Sequence, residues 1–469
     1  MPELAGLCIF LFVIGAAPLP FGSRDLATVA VWVFCLGAAL CVAPVRHLKK
    51  SQIIILGGLL LLAAAFGFVL YEQACLSHCL VAPDPVWSKA SHALNFPLVP
   101  IASIASHEAF YNLGLPLSAT FSFALGLIYG ARDRLVGRRL IFIVGWIGAV
   151  EAVYGIAAVQ IDPTMILWRP RPQYVGNITG TFVNRNTAAA YFGSVALIWA
   201  LIFCERVRRR FSSAEHSFQA SSWLLQVGNY GRFVLPALFF AVSLIALFGT
   251  ASRAGIVFSL LALIVALALY FRRYFLKRAV IVLFPAILLL GVLFVLQIFG
   301  GSVNTRFSIE GFSDRARMQT YSSTLTIISQ HFWFGTGLGT FALAYPLFRN
   351  PAQSMYGTWD LAHSVPLQLA SEMGVPFALM TIMGWISLFS IIVHRAFVRR
   401  HDLFPIVASL GVVLIASLSS LLDFSLQVPG LAIIVSGIFG CGVSDSLRRS
   451  SRRGAAESLA REQSPGTPT

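Results

Sequence analysis

Three short stretches of this chain carry side chains able to do chemistry on an anion and a proton. TGTFVNRNTAAAYFG (179–193) sets Arg185 between Asn184 and Asn186 at the start of an apolar run. FGTASRAGIVFSLL (248–261) sets Arg253 in a tight turn between two apolar runs, with Gly249 and Gly255 close by. WDLAHSVPLQLASEMG (359–374) sets His363 just before another apolar run. A guanidinium at the start of a helix adds its charge to free backbone N–H groups and the positive dipole end, which together favour an anion such as phosphate. Histidine is the side chain best suited to move a proton near neutral pH.

Each stretch also has a plainer reading. Arg185 can snorkel at a membrane interface while Asn186 or Thr187 caps the helix. Arg253 is harder to dismiss, because a turn that short leaves a buried Arg costly unless it faces a polar cavity or partner. Its glycines permit close approach of backbone or ligand. His363 has Asp360 and Glu372 nearby, and either could orient it, but on residue type His331 is as good a candidate. Arg315 and Arg317, in SDRARMQTY, are weaker candidates, since Asp314 could cap or pair locally; Arg349 is weaker too. Asp423, in LLDFSLQVPG, reads as a loop turn or as a partner for one of the arginines.

The elements that must position these residues are membrane helices. The chain of 469 residues is 57% hydrophobic and only 11% charged, too apolar for a water-facing exterior. Runs of about 20 apolar residues cross the hydrocarbon core as helices. Twelve such spans are predicted: 4–21, 26–45, 52–71, 115–131, 140–160, 187–204, 233–250, 255–271, 280–299, 374–394, 403–421 and 429–445. The N-terminus lacks a basic region and a small-residue cleavage site, and reads as the first of these helices.

Charge fixes the orientation. VRHLKK, RDRLVGRR, the RVRRR segment, FRRYFLKR, HRAFVRRHD and the tail from Arg448 fall in alternate gaps, leaving only ten of the 34 Lys and Arg for the opposite side. The rich side is cytoplasmic and holds both termini. The same rule accounts for most of the net charge of +15 and removes the case for nucleic acid. Nine of the ten opposite cations are Arg, but the chain as a whole prefers Arg, so only their individual positions carry information.

Two external segments are long. Residues 72–114 read as short amphipathic helices lying along the membrane surface. Residues 300–373 read as a polar start, a helix over TYSSTLTIISQHFWF, a break at GTGLG, a second helix over FALAYPLF, and the His363 stretch. The organisation expected is one membrane domain, 1–445, and a disordered tail, 446–469. Five cysteines sit in or beside apolar runs as packing residues; Cys75 and Cys79, in CLSHC, are either unpaired or a disulfide of an oxidising compartment. No P-loop, GxSxG, HExxH or Asp-rich motif is present, which speaks against ATP-driven transport and metal-chelating transfer. What is left is an outward Arg and His site suited to a donor that is already activated.

GTFVNRNTAAAYFG, TASRAG, SDRARMQTYSSTLTIISQHFWFGTGLGTFALAYPLF, AHSVPLQLASEMGVPFAL and LLDFSLQVPGLAIIVSGIFGCG together resemble the O-antigen ligase and polymerase superfamily, over about residues 140–443. The resemblance implies an all-α, GT-C-like glycosyltransferase of the bacterial inner membrane, metal- and cofactor-independent, with a helical periplasmic loop between helices 9 and 10. It implies a donor glycan on undecaprenyl diphosphate. The acceptor would be a lipid A–core hydroxyl in a ligase, or another lipid-linked repeat in a polymerase. Carried over, Arg185 and Arg253 match the arginines that hold the donor diphosphate, with Asn184 and Asn186 beside them. His363 matches the general base, and Arg315 or Arg317 the Arg preceding the loop helix. The family's Asn after the histidine is Ser364 here. The layout leans to ligase over polymerase; a transporter of a lipid-linked substrate is the non-enzymatic alternative. It would place more charge at mid-membrane, where Glu151 is the main exception.

Overall fold

The computed structural model describes residues 2–76, 80–171, 173–214, 230–272, 315–351, 359–399 and 402–448. The expected span at 280–299, the polar start of the long loop to Asp314, Cys79 and most of the C-terminal tail lie outside the described residues. Cys75 is disulfide-bonded.

The fold is helical. The first helices are α1 (Pro2–Ala16), α2 (Leu26–Cys41), α3 (Lys50–Ala74), α4 (Pro85–Leu94) and α5 (Glu108–Asn112). They continue as α6 (Gly114–Arg132), α7 (Arg134–Ile161), α8 (Arg185–Ala214), α9 (Tyr230–Gly249) and α10 (Arg253–Phe271). After the undescribed stretch come α11 (Arg315–Gln330), α12 (Phe341–Phe348), α13 (Val365–Met373), α14 (Val375–Val398), α15 (Phe404–Leu422) and α16 (Pro429–Ser446). A two-residue hairpin, β1 (Met165–Ile166) with β2 (Arg169–Pro170), is the sheet among the described residues. Eight described helices are long and apolar enough to cross a membrane, and α1, α2 and Phe233–Gly249 of α9 are shorter apolar helices. The protein is a multi-pass membrane protein.

Two helices form the centre. α8 and α16 are almost wholly buried, whereas α3 and α14 turn most of their surface outward. α16 packs along α6, and small residues bring the two backbones together. A Cβ at Gly126 would overlap the Gly437 carbonyl, and one at Gly440 would overlap that of Phe123. Small-residue seams of this kind replace the hydrophobic driving force that lipid cannot supply between helices. α8 is flanked by α7, α9, α10 and α15.

Short helices occupy the described parts of the two long segments between the apolar runs. α4 and α5 occupy the 72–114 stretch, and α4 begins as a capped helix, with the Asp84 carboxylate accepting the Val86 N–H at 2.8 Å. α11 and α12 flank the GTGLG break, where Gly335, Gly337 and Gly339 all have positive φ. α11 begins at Arg315, earlier than its apolar pattern suggests.

Candidate active site

The two arginines are the first residues of two neighbouring helices. α8 starts at Arg185 and α10 at Arg253. Asn184, not Asn186 or Thr187, caps α8: its Oδ1 accepts the N–H groups of Asn186 at 2.6 Å and Thr187 at 3.0 Å. The helix begins two residues earlier than the apolar run, so the cap moves back with it. Ser252 caps α10 by accepting the Gly255 N–H at 3.3 Å, and donates its own hydroxyl to Asn186 Oδ1 at 2.7 Å. One side-chain bond thus links the two helix N-termini. Gly255 permits the approach, since a Cβ there would overlap that of Ala189 on α8.

The turn before α8 is anchored on three sides. The buried Glu151 carboxylate of α7 accepts from Thr181 N at 3.1 Å and Thr181 Oγ1 at 2.8 Å. Ile178 N donates to the Gly249 carbonyl at 2.8 Å, joining the turn to the end of α9. Arg171 donates to Thr179 Oγ1 at 3.0 Å and to the Gln173 carbonyl at 3.1 Å. The Arg185 guanidinium lies over the Tyr174 ring, 5.0 Å from its centroid, and its Nε is buried without a hydrogen-bond partner. Glu151 therefore braces the turn that leads into Arg185.

His363 sits at the mouth of α13 with φ 54°, a left-handed backbone that a non-glycine residue adopts at a cost. Its Nδ1 lies 2.9 Å from Oδ1 of the buried Asp423. Neither Asp360 nor Glu372 is this partner; Asp423, in the turn after α15, is. Trp359 and Phe424 pack on the imidazole, each with centroids 5.1 Å from it.

The surrounding bonds hold the His363 turn from both sides. Ala362 N donates to Gln368 Oε1 at 2.9 Å, and Gln368 Nε2 donates to Glu372 Oε1 at 3.0 Å. Glu372 also accepts the Gly339 and Phe341 N–H groups at 3.0 and 3.3 Å, tying the GTGLG break to α13. Burial pushes the Glu372 carboxyl up to about 7, and those three donors pull the other way. On the opposite side the Tyr321 hydroxyl donates to the His363 carbonyl at 2.9 Å. Arg317 Nη1 donates to the Leu422 carbonyl at 3.2 Å, capping the end of α15 one residue before Asp423. Arg317 thus stands beside the Asp423 turn. The Arg315 side chain lies outside the described residues.

The two groups share one end of the bundle: a Cβ at Gly22 would meet both Phe182, in the turn before α8, and Val428, at the end of the turn Ser425–Gln427 that follows Asp423 and packs on α13. His331 belongs elsewhere. It faces Asp84 at 3.7 Å, and burial holds its pKa below the usual range against the pull of that carboxylate.

This arrangement can bind an anion at paired helix N-termini and accept a proton at an oriented imidazole. Tyr321, Gln368 and the role of Asp423 escaped the sequence reading, since no local pattern says which distant turns meet. A comparison with curated proteins finds no match. Residues 238–382, which include Arg253, Arg317 and His363, match the family model described as O-antigen ligase (Wzy_C). Over that stretch the chain is similar to the O-antigen ligase family.

Proposed function

We propose that this protein is an O-antigen ligase-type glycosyltransferase with about twelve membrane helices in a GT-C-like arrangement. It moves a glycan from undecaprenyl diphosphate to a lipid A–core hydroxyl. The reaction takes place on the periplasmic face of the bacterial inner membrane, with both termini cytoplasmic and residues 1–445 forming one membrane domain. The observation that carries this reading is the pairing at one end of the bundle: two arginine-led helix N-termini beside an aspartate-oriented histidine.

The chemistry follows from the groups present. The anomeric carbon of the donor already bears a diphosphate leaving group, so the enzyme must stabilise charge as that bond breaks. Arg185 and Arg253, with the dipoles of α8 and α10, supply fixed positive charge where negative charge develops. Asp423 accepts a hydrogen bond from Nδ1–H of His363 and leaves Nε2 as the basic atom. Nε2 takes the proton of the acceptor hydroxyl as its oxygen attacks the face opposite the diphosphate. The C–O bond to phosphate breaks, the new glycosidic bond forms with inversion, and the diphosphate leaves with the bonding pair.

A deletion strain tests the assignment. Lipid A–core without O-antigen, with long glycans stranded on the lipid carrier, is the expected outcome. Lipid A–core bearing a single repeat would make the protein a polymerase. An unchanged lipopolysaccharide ladder would remove both readings.

A further inference from the structure

His363 and Asp423 come from turns 60 residues apart, and the 2.9 Å bond between them needs those turns held in register. Neither turn is regular structure: His363 has a left-handed backbone, and Asp423 is extended just past the end of α15. Their side chains bond to each other, but one side-chain bond does not fix the relative position of two backbones. Something else must.

That something lies on α11. The Tyr321 hydroxyl reaches two main-chain carbonyls, His363 O at 2.9 Å and Leu422 O at 3.3 Å. The first belongs to the histidine itself, and the second to the residue before the aspartate. A hydroxyl has one proton, so it donates mainly to the nearer His363 carbonyl and shares weakly with Leu422. Arg317, one turn earlier on the same helix face, reinforces the Leu422 side at 3.2 Å. α11 is itself seated by buried Thr320, Thr324 and Ile327, and Tyr345 donates to Thr320 Oγ1 at 3.3 Å.

We propose that Tyr321 is a positioning residue that holds the His363 and Asp423 turns in register through their backbone carbonyls. It rests on the reading of His363–Asp423 as the proton acceptor. Tyr321 bonds to the main chain rather than to the imidazole, so it acts on the rate through the pair and not on substrate affinity.

The test places phenylalanine, 4-fluorophenylalanine and 4-aminophenylalanine at position 321 of the full-length protein. Activity is read as transfer from a polyprenyl-diphosphate-linked glycan to lipid A–core. The fluoro side chain fills the space of the hydroxyl without a donor, so folding is preserved; the amino side chain restores an N–H. Tyr321→Phe and the fluoro variant should lower kcat about 10-fold at unchanged KM, the worth of one positioning hydrogen bond. The amino variant should recover most of that loss. In an Asp423→Asn background, Tyr321→Phe should cost less than about 2-fold, since groups acting as a unit are not additive. Equal rates for the fluoro and amino variants would overturn the proposal, as would a full multiplicative loss in the double variant. Wild-type rate in Asp423→Asn alone would instead overturn the proton-acceptor reading on which it stands.

Discussion

His363 Nδ1 and Asp423 Oδ1 lie 2.9 Å apart, with the aspartate buried and the imidazole half-buried between Trp359 and Phe424. A buried carboxylate in that position fixes which imidazole nitrogen carries the proton and would stabilise the imidazolium of the proposed proton transfer. Asp423→Asn keeps the shape but lets the amide present an N–H to Nδ1, favouring the wrong tautomer. Transfer by the purified variant should fall about 100-fold or more, by the same logic that governs buried aspartates behind catalytic histidines. An initial rate within a factor of two of wild type would mean that Asp423 serves only structure.

Arg185 and Arg253 open two helices joined by the Ser252–Asn186 bond at 2.7 Å. Arg253→Ala should lower kcat by about 100- to 1000-fold, the usual cost of losing a charge-stabilising donor. Arg253→Lys should recover only part, because an ammonium cannot bind bidentately. If the loss appeared wholly in KM, the arginine would bind ground state and transition state alike.

Asn184 tests the scaffold beneath that charge. Its side chain satisfies two N–H groups at the start of α8, and Asn184→Ala should cost about 1 kcal/mol of stability. Asn184→Asp keeps the acceptor and should retain the thermal midpoint. An alanine variant as stable as wild type would show that the cap contributes nothing.

Glu372 gives a pH signature in stability. Its folded carboxyl titrates near 7, against 4.5 for the free side chain, because burial penalises the charge. The folded state therefore binds this proton more tightly than the unfolded chain does. Its contribution is fully present below about pH 4.5 and is lost as the pH rises to about 7, a change on the order of 3 kcal/mol. The thermal midpoint of detergent-purified protein should fall between pH 5 and 7.5, and Glu372→Gln should flatten that fall. Parallel curves for the two proteins would assign the pH dependence to other groups.

The helices and the membrane class were legible because apolar run length and charge asymmetry are local properties. The GTGLG break was legible for the same reason: three glycines close together permit a left-handed turn that other residues resist. Arg185 was legible at the mouth of a helix, whereas Arg253, read in the turn between two apolar runs, is the first residue of α10. The partner of His363 was not. Asp360 and Glu372 are near in sequence, but the α13 turn carries His363 toward the end of α15 instead. Asp423 and Tyr321 reach it only through packing among α11, α13 and α15, which depends on tertiary contacts that no local pattern encodes. Nor was the partner of Glu151 legible: the carboxylate, read as the main mid-span charge, accepts from Thr181, 30 residues away.

The most direct measurement is glycan transfer by the purified protein in liposomes, from an undecaprenyl-diphosphate-linked donor to lipid A–core, with wild type and His363→Ala compared across pH 6 to 9. The account expects robust transfer by wild type, and loss of at least about 100-fold in the variant at every pH. Full activity of His363→Ala over that range would contradict it and move the base to another residue.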